Sequence, residues 1–597
     1  MTALAFVERP EQLRLVPPGH RVVALNPAVT VEAELAGREF TRPEEYVPDE
    51  EIESGGLANF AHVESIARAI DELAAQVTKD EEITPGTWGF FWLKILFDAV
   101  WLRARYVEAI LDRDQPSSIL YFRLEPAPDD DPVTTKGSIY NTVVASASAK
   151  RGLATRRIDS PPAGAKATPP ILSRLIRAAR ARAGSARRRA HLELAGRRKG
   201  RSRVLCLDYG YHVPHVAKEL RRAGWDVEVW TGLDSADAPF AELLWAAMLA
   251  SPQMRDLFVR NDIDLWEPAL PHLRRLVVTE LSAAAAEYKY ALEYLQQNPA
   301  DVVLTSMVFN GVQNARCTAA RRAWIPTVVH RHGAVGLRDL PLGAFVDLTD
   351  WALCWGDWEA SWVTHHTNGR VTPVVTGAPF VEAAAAAARS RRTMPRKLGE
   401  GQETVVVYAP TALSGNGWYA NRRAPSDGSY FDQQKQIVAD LTALDVSVVV
   451  KEHPGEDDPS PLARWCAHAY GGSVSIIRRP PFADLVHLAN AVVIDAPFTT
   501  LVQAMFGTAH VYVVDHPVID WSPGVVNHLR AHGVRICATE ELGEQIRRDA
   551  ANGRFEKPAL YDDEARGPMM SGSAPGSAVR AARALIAIGN GLDPRAS

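Results

Sequence analysis

The chain has 597 residues, 47% of them hydrophobic and 23% charged, with a formal net charge of −5 and a pI near 6.4. This length exceeds what one hydrophobic core usually supports, so we expect several domains. The acidic balance argues against a nucleic-acid binder whose affinity comes from overall charge. The cysteines follow no disulfide or metal-binding spacing, so we expect reduced thiols in a cytoplasmic protein.

Region 1–160 alternates strand and helix patterns as βαβ units do, with strands predicted at 21–27 and 117–123. This alternation predicts an N-terminal α/β extension that belongs to the same lobe as residues 203–380. Its most apolar window, 87–102, is interrupted by Lys94 and Asp98 and is shorter than a bilayer span. We therefore expect a core helix there, and an interfacial membrane helix is the alternative.

The segment 161–202 separates this extension from the rest of the chain. It carries eleven Arg or Lys residues between Arg174 and Arg201 against the single acid Glu193. Apolar residues recur at helical spacing in its first half, which is typical of an amphipathic helix on an anionic membrane surface. Residues 171–201 could thus hold a cytoplasmic protein peripherally at the inner face of the membrane; a solvated linker helix is the equal alternative.

Two series of short β-branched runs, mostly separated by helix-compatible segments, follow. The series predict Rossmann-like domains at 203–380 and 403–575, joined by the low-complexity segment 381–402. A final helix and tail occupy 576–597 and are expected to return to the first of these domains. The predicted fold is α/β, with two doubly wound parallel sheets facing a central cleft.

Polar residues follow four strands of the 403–575 domain. Because parallel strands present their carboxyl ends at one edge of a sheet, these residues indicate a shared crevice. Thr499 and Thr500 open a helix, where their hydroxyls and backbone N–H groups suit a phosphate; a helix-capping role for Thr499 is the alternative. His453 suits a phosphate leaving group. The predicted donor contacts at these strand ends are Thr411, Lys451, Asp495, Thr499 and Thr500.

The 203–380 domain has its own polar strand end at "TVVHRHG", which contains His330 and His332. A histidine facing a phosphate-holding crevice is a natural general base, because its unperturbed pKa lies near working pH. Either His330 or His332 could take that role. We place His212, His215 and His330 on the acceptor side, and helix capping is the alternative for the "DYGYH" segment that contains His212.

No dinucleotide fingerprint or P-loop follows a strand, so we expect no cofactor. No acidic cluster requires a metal, although the turn at 456–458 offers three carboxylates and is otherwise a solvated turn.

The ordered motifs "HRHG" (330–333), "VTGAP" (375–379), "YAPT" (408–411), "KEHP" (451–454) and "IDAPFTTLVQAM" (494–505) resemble the CDP-glycerol glycerophosphotransferase family. They also resemble capsule-polysaccharide transferases of the GT-B fold. The resemblance covers about residues 300–540.

This resemblance implies that 203–380 is the acceptor domain and 403–575 the nucleotide-donor domain. The partners it implies are a nucleotide-activated sugar or polyol and a glycan or lipid-linked acceptor, without nucleic acid. It also implies specific roles. It implies that His332 is the base, that His453 contacts the donor phosphates, and that Thr499 and Thr500 also hold the donor. Gln503 stands where many GT-B enzymes place a glutamate for the donor ribose. Since "DAPFTT" replaces the "DYSS" of teichoic-acid-type members, a nucleotide sugar is at least as suitable a donor as CDP-glycerol.

The favoured hypothesis is a metal-independent GT-B transferase that moves a sugar to a hydroxyl of a cell-surface polysaccharide or glycolipid. One alternative is a polyol-phosphate transferase of the CDP-glycerol type. Another is a non-catalytic GT-B scaffold at the membrane. A nucleotide-sugar epimerase would need carboxylates placed for elimination, and none stands out in the sequence.

Overall fold

The protein is described here by a computed structural model that covers residues 3–123, 139–160, 202–230, 232, 237–307, 310–333, 336–337, 348–390, 404–413, 426–454, 459–516, 520–572 and 576–595. The basic segment 171–201 and the acidic turn 456–458 lie outside the described residues. Three parallel sheets, each flanked by helices, make up the described part of the chain. The α/β class predicted from the sequence is confirmed.

The N-terminal sheet contains five parallel strands in the order β3-β2-β1-β4-β5. These are β1 (Ala3–Val7), β2 (His20–Ala24), β3 (Phe40–Thr41), β4 (Ser118–Arg123) and β5 (Ala154–Asp159). Its helices are Pro27–Leu35, Asp49–Thr78, Pro85–Trp88, Phe90–Asp114 and Ile139–Lys150.

The middle sheet contains six parallel strands in the order β13-β12-β11-β10-β6-β7. They are β6 (Arg203–Cys206), β7 (Asp226–Val229), β10 (Val302–Thr305), β11 (Thr327–His330), β12 (Trp351–Cys354) and β13 (Thr372–Val375), with a small antiparallel pair, β8 (Val259–Arg260) and β9 (Ile263–Asp264). The helices of this region are Val213–Arg222, Ala238–Ala250, Pro252–Asp256, Trp266–Leu276, Ser282–Gln297, Gly311–Arg322, Asp357–His366 and Pro379–Ser390.

The C-terminal sheet also contains six parallel strands, in the order β16-β15-β14-β17-β18-β19. They are β14 (Val405–Ala409), β15 (Ser447–Lys451), β16 (Ser475–Ile477), β17 (Ala491–Ile494), β18 (His510–Asp515) and β19 (Arg535–Ala538). Its helices are Asp427–Thr442, Pro461–Tyr470, Phe482–Leu485, Thr499–Ala504, Val525–Ala531, Thr539–Ala551 and Asp563–Arg566, and the chain closes with Ser577–Gly589.

Both six-stranded sheets are wound in two directions from an interior strand. Counted in sequence order, the C-terminal sheet reads 3-2-1-4-5-6, which is the Rossmann order, and the middle sheet reads 2-1-3-4-5-6, which extends the flavodoxin-like order. The winding reverses between β6 and β10 in the middle sheet and between β14 and β17 in the C-terminal sheet. Ligands of such sheets bind outside the carboxyl ends of the strands at these points.

The β-branched runs form strands because helices cover both faces of each sheet. Val406 and Val407 are adjacent, fully buried and members of different hydrophobic clusters. Successive side chains of a strand point to opposite faces, so a strand covered on both sides reads as a continuous apolar run. The final helix Ser577–Gly589 crosses back and packs in one cluster with β6 and β10 of the middle sheet.

The apolar window at 87–102 lies mostly in the helix Phe90–Asp114, which is largely buried. Lys94 and Asp98 are one turn apart, buried and ion-paired, and Asn59 donates to Asp98 at 2.9 Å. The pairing removes the cost of two isolated buried charges. In the described part of the chain, no helix has both the length and the apolar character needed to cross a bilayer.

The N-terminal unit contacts both other sheets, but in chemically different ways. Its helices Asp49–Thr78 and Phe90–Asp114 share one large hydrophobic cluster with helices of the middle region. Towards the C-terminal region it forms mainly ion pairs, among them Arg42 with Asp432 at 2.6 Å and Lys435 with Glu34 at 3.5 Å.

Candidate active site at the carboxyl ends of the middle and C-terminal sheets

The loop that leaves β11 carries the predicted base, His332. Its imidazole is partly exposed and stacks on the ring of Tyr211, with the centroids 4.8 Å apart. Partial burial, followed by the neighbouring Arg331 charge, lowers the pKa of His332 below its usual 6.5, against the opposing effects of a backbone hydrogen bond to Ser306 and of the Asp208 carboxylate. The imidazole is therefore neutral near pH 7, which is the state that a general base needs.

The Asp208 carboxylate fixes the backbone of Ser306, to which the His332 ring is hydrogen-bonded. Asp208, which follows β6, accepts hydrogen bonds from the Thr305 hydroxyl at 2.9 Å and from the Ser306 N–H at 2.8 Å and hydroxyl at 2.5 Å. These bonds tie the carboxyl ends of β6 and β10 together at the point where the winding reverses. Because Ser306 in turn binds the His332 ring, Asp208 orients the proposed base through one intermediate residue.

His212 and His330 lie beneath this loop. Both side chains are fully buried, and their rings stack with centroids 4.0 Å apart. A ring nitrogen of His212 lies 2.8 Å from the Arg331 carbonyl oxygen, and one of His330 lies 3.1 Å from the Gly377 carbonyl oxygen. We expected both histidines on the acceptor side; the structure instead buries them, so in this arrangement they support the loop and do not meet an acceptor.

Arg331 and Glu359 form a buried charged layer next to these rings. The Glu359 carboxylate accepts the Trp355 N–H at 2.6 Å and lies 3.9 Å from the Arg331 guanidinium. Burial raises the pKa of Glu359 to about 7 although Arg331 opposes this. The Arg331 carbonyl also accepts the Trp355 indole N–H at 2.9 Å, so the backbone immediately before His332 is held from two sides.

The same loop continues into the C-terminal core. Gly336 has a φ of +84°, and a β-carbon there would lie 2.6 Å from the backbone of Trp358, so only glycine fits without a shift of the chain. Leu337 is buried among residues of the C-terminal sheet, and its carbonyl accepts the Ser522 N–H at 3.0 Å. The loop that carries His332 is thereby anchored to both sheets.

The C-terminal sheet has a matching carboxylate bridge at its own reversal point. Asp495, after β17, accepts hydrogen bonds from the Tyr408 hydroxyl at 2.8 Å and from the Thr411 N–H at 2.8 Å and hydroxyl at 2.7 Å. Burial raises the pKa of Asp495, and these donors oppose the rise. The structure therefore brings Thr411 and Asp495 together, but it commits the carboxylate to holding the ends of β14 and β17.

The "KEHP" segment divides into buried and exposed residues. Lys451 donates to the carbonyls of Glu452 and Arg478, both at 2.9 Å, and Glu452 accepts from Arg478 at 2.7 Å and from the Ser460 hydroxyl. The Lys451 ammonium is thus occupied, and a donor contact through it stays a prediction. His453 follows directly and is exposed at the sheet edge, as a phosphate ligand must be.

Thr499 and Thr500 begin the short helix after β17, and Phe498 is its N-cap residue without a side-chain cap. Thr499 is therefore the first helical residue, and it does not cap the helix. A β-carbon built on Gly333 would lie 3.7 Å from the Thr499 hydroxyl oxygen, so the loop of the middle sheet and this helix of the C-terminal sheet lie close together. The carboxyl edges of the two sheets approach each other at this point.

Two predicted residues lie to the side of this close approach. Gln503 lines a small gap against Val381 and Ala385 of the helix Pro379–Ser390, together with neighbouring residues of the C-terminal region. His215 lies in the first turn of the helix Val213–Arg222 and is partly exposed; burial, then the Lys218 charge, lowers its pKa. The structure does not place either residue among the contacts around His332.

Asp208, Ser306 and Tyr211 were missed as individual site residues. The signal for Asp208 was available, because it follows β6 as Asp495 follows β17, and the strand-end rule applies equally to both sheets. Tyr211 could not be read from the sequence, since its stacking on His332 joins segments that are 121 positions apart. In the described residues, no group of three or more His, Cys, Asp or Glu side chains could hold a metal ion.

No protein-family model matches the chain, and no curated protein matches it. Several solved structures align with it at low identity. UDP-GlcNAc 2-epimerase from Neisseria meningitidis, bound to UDP-GlcNAc, is 12% identical; the match covers 65% of this chain and 99% of that one, with a TM-score of 0.40. The glycosyltransferase SnogD from Streptomyces nogalater is 15% identical, covers 66% and 97%, and has a TM-score of 0.31. HepE of Anabaena, in complex with UDP, is 13% identical, covers 66% and 98%, and has a TM-score of 0.34.

These scores are too low to support a conclusion about activity. The strand orders and the proximity of Gly333 to Thr499 define the fold independently of these structures. Two Rossmann-like sheets whose carboxyl edges face one another form the arrangement of the GT-B fold.

Proposed function

We propose that the protein is a GT-B glycosyltransferase that moves a sugar from a nucleotide-activated donor to a hydroxyl of a cell-surface polysaccharide or glycolipid. The observation that carries this proposal is the proximity of the His332 loop to Thr499 at the carboxyl edges of two wound sheets. We infer from this proximity that the neutral imidazole and the residues suited to a phosphate serve one site.

In the proposed reaction the neutral His332 takes the proton of the acceptor hydroxyl. At the same time the acceptor oxygen bonds to the anomeric carbon of the donor sugar. The bond from that carbon to the phosphate oxygen breaks, and its electron pair leaves with the nucleotide. A single displacement of this kind inverts the anomeric configuration. His453, Thr499 and Thr500 are assigned to the charge that develops on the departing diphosphate.

The spacing of the C-terminal strands suits the roles assigned to His453 and Thr499 as contacts of the donor phosphates. His453 follows β15 and Thr499 follows β17, with β14 between them, so the two strand ends are separated by about 10 Å. A diphosphate with its ribose spans a comparable distance. On the other side of the cleft, Tyr211 is half exposed beside His332 and offers an aromatic surface for the acceptor.

A polyol-phosphate transfer of the CDP-glycerol type is the second candidate. The replacement of "DYSS" by "DAPFTT" favours a sugar donor, but the same base and phosphate contacts would serve displacement at phosphorus. Both reactions are proposed to need no metal, and dialysis against EDTA before the assay tests this directly, since a metal-dependent enzyme would lose activity.

The experiment begins with thermal denaturation in the presence of CMP-, CDP-, UDP-, dTDP- and GDP-linked sugars and of CDP-glycerol. A donor that binds only the native state raises the melting temperature by mass action. At a concentration a hundred times its Kd, it adds about 2.7 kcal/mol to the free energy of unfolding. The stabilising donor is then incubated with candidate glycan acceptors, and transfer is followed by mass spectrometry. Donor isomerised without an acceptor product would indicate an epimerase.

His332→Ala and His453→Ala are compared with His468→Ala, a control on an exposed helix face. We expect His332→Ala to lower the transfer rate by about 10²- to 10⁴-fold with an unchanged melting temperature. We expect His453→Ala to weaken donor stabilisation as well. Wild-type cellular function in both variants would support the scaffold alternative instead.

We also propose that residues 171–201 bring this cytoplasmic enzyme to the inner face of the membrane, where a lipid-linked acceptor would be available. Their excess of basic residues suits anionic lipid. Co-sedimentation with vesicles of phosphatidylglycerol, compared with phosphatidylcholine alone, tests this. Equal recovery in both pellets would leave the segment a linker.

A further inference from the structure

Trp324 is the most exposed large hydrophobic side chain in the described part of the chain, at 94% of its full accessibility. It stands directly after the helix Gly311–Arg322 and has a φ of +60°. Its N–H donates to the Arg321 carbonyl at 3.0 Å, and the next N–H, of Ile325, donates to the Ala320 carbonyl at 2.9 Å. This is a Schellman motif with tryptophan at the left-handed position.

Glycine occupies the same position in equivalent motifs of this protein. Gly224, Gly533 and Gly591 have φ values of +85°, +84° and +71°, and each shows the same pair of backbone hydrogen bonds. A residue with a β-carbon costs about 1–2 kcal/mol in this conformation. At Trp324 the left-handed backbone conformation is unfavourable, and the indole is exposed to water as well. Local stability therefore does not explain why a tryptophan occupies this position.

Two grooves border this indole. One, of about 580 Å³, is lined by Asp301, Trp351 and Asp593 in addition to Trp324. The other, of about 670 Å³, is lined by Glu82, Arg321, Asp350 and further polar residues. Trp324 thus forms the ridge between two depressions that expose both apolar surface and hydrogen-bonding groups.

The polar groups of the second groove are held in fixed positions. Glu82 accepts the Tyr288 hydroxyl at 2.9 Å and pairs with Arg322 at 2.6 Å. Arg321 pairs with Asp350 at 3.0 Å. Opposite charges are therefore balanced within the groove, which suits an uncharged ligand with many hydroxyl groups.

We propose that Trp324 and its two grooves bind a neutral oligosaccharide segment of a glycan. The axial C–H groups of a pyranose ring form an apolar face that stacks on an indole, while the ring's hydroxyls reach the flanking carboxylates and guanidinium groups. A protein partner is less suitable, because the centres of protein interfaces are depleted of charged residues, whereas the carboxylates of Asp301 and Asp593 flank Trp324 on one side and ion pairs flank it on the other.

This site is separate from the proposed active site. Trp324 and residues 300–301, 326 and 350–351 lie at the amino ends of β10, β11 and β12, whereas His332 follows the carboxyl end of β11. The two edges are separated by a strand length of roughly 13 Å. Binding at Trp324 requires neither a donor nor transfer, so it goes beyond the proposed function and can be tested without it.

The test uses the full-length protein in native affinity electrophoresis through gels that contain dextran, glycogen, galactan, mannan or soluble chitin oligomers, without a donor. The variant is Trp324→Gly, which supplies the residue favoured at this position. We expect its melting temperature to equal or exceed that of the wild type, so misfolding does not confuse the result. We expect its dissociation constant for the retarding glycan to be at least about tenfold higher.

Two controls define the result. Leu560→Ala removes another exposed apolar side chain, which is 85% accessible, and should bind as the wild type does. His332→Ala should also bind normally, although its transfer rate is expected to be lower. Retardation that is equal in wild type and Trp324→Gly, or absent with every glycan, overturns the proposal. A change of oligomeric state in Trp324→Gly, seen by analytical ultracentrifugation, would assign the ridge to contact between copies and also overturn it.

Discussion

At the scale of single residues, the His332 imidazole combines a neutral resting state with a fixed orientation. Burial and the adjacent guanidinium lower its pKa, and the Ser306 backbone holds one side of the ring. Asp208 holds Ser306 in turn through two hydrogen bonds. The proposed base therefore depends on a positioning residue 124 positions earlier in the chain, which acts without touching the substrate.

The first prediction concerns the pH dependence of transfer. Because the base must be neutral and its pKa lies below 6.5, the acid limb of kcat/KM should fall only below pH 6.5. Asp208 raises the pKa of His332, so Asp208→Asn should move this limb to lower pH while reducing kcat. A pH profile of both proteins measures this, and Glu219→Gln, which removes a carboxylate paired with Arg222 within its own helix, serves as the control. An unmoved limb would leave Asp208 only a structural role.

At the scale of elements, the loop after β11 is the part of the fold that carries the proposed chemistry. It is fixed before His332 by the Arg331 carbonyl contacts and after it by Gly336 and Leu337. The anchoring of one loop in two sheets explains how a residue of the middle region is held beside Thr499. A substitution that displaces this loop should reduce the transfer rate more strongly than its loss of unfolding free energy would suggest.

The second prediction uses two glycines with similar backbone angles. Gly336 and Gly369 have φ values of +84° and +72°, but only at Gly336 would a β-carbon meet backbone atoms, at 2.6 Å; at Gly369 nothing lies within 4 Å. Gly369→Ala should cost about 1–2 kcal/mol of unfolding free energy. Gly336→Ala should cost more and should also reduce transfer, because the loop must shift.

Urea denaturation and the transfer rate at saturating donor measure these effects. Equal losses of stability in the two variants, with equal activity, would contradict the assigned position of the loop.

At the scale of the whole molecule, the N-terminal unit is joined to its neighbours by two unlike interfaces. It merges with the middle region through a hydrophobic cluster that includes Trp101 and Trp245. It meets the C-terminal region mainly through ion pairs, among them Arg464 with Glu32 and Arg42 with Asp432, although Val31 also packs in an apolar cluster of that region. Such partly exposed pairs are weakened by salt, whereas apolar contacts are not.

The third prediction follows from this difference. In about 1 M salt, where the Debye length is about 3 Å, amide hydrogen exchange should increase in the helices Pro27–Leu35 and Pro461–Tyr470. The helix Phe90–Asp114 should stay protected. The double variant Arg42→Ala, Arg464→Ala should reproduce the change at low salt, and Arg547→Ala, which pairs within its own helix, should not. Uniform exchange in all three helices would refute the two-interface description.

The sequence alone determined the strands of both six-stranded sheets, because a strand buried on both faces must read as a continuous β-branched run. It also located the polar strand ends, since parallel winding collects them at one edge. The segment Ala3–Val7 was not predicted as a strand, although it became the central strand of the N-terminal sheet, because five apolar residues at a chain start carry no periodicity that separates strand from other structure.

Only the tertiary structure decided which polar side chains face the cleft and which hold the fold. His330 and His332 are two positions apart, yet one is fully buried against a carbonyl and the other is partly exposed beside Tyr211. Asp495 and Lys451 follow the strand-end pattern as well as His453 does, but hydrogen-bond partners distant in sequence occupy both. A one-dimensional pattern gives a residue's distance from a strand end, whereas its partners depend on long-range packing, which local periodicity does not encode.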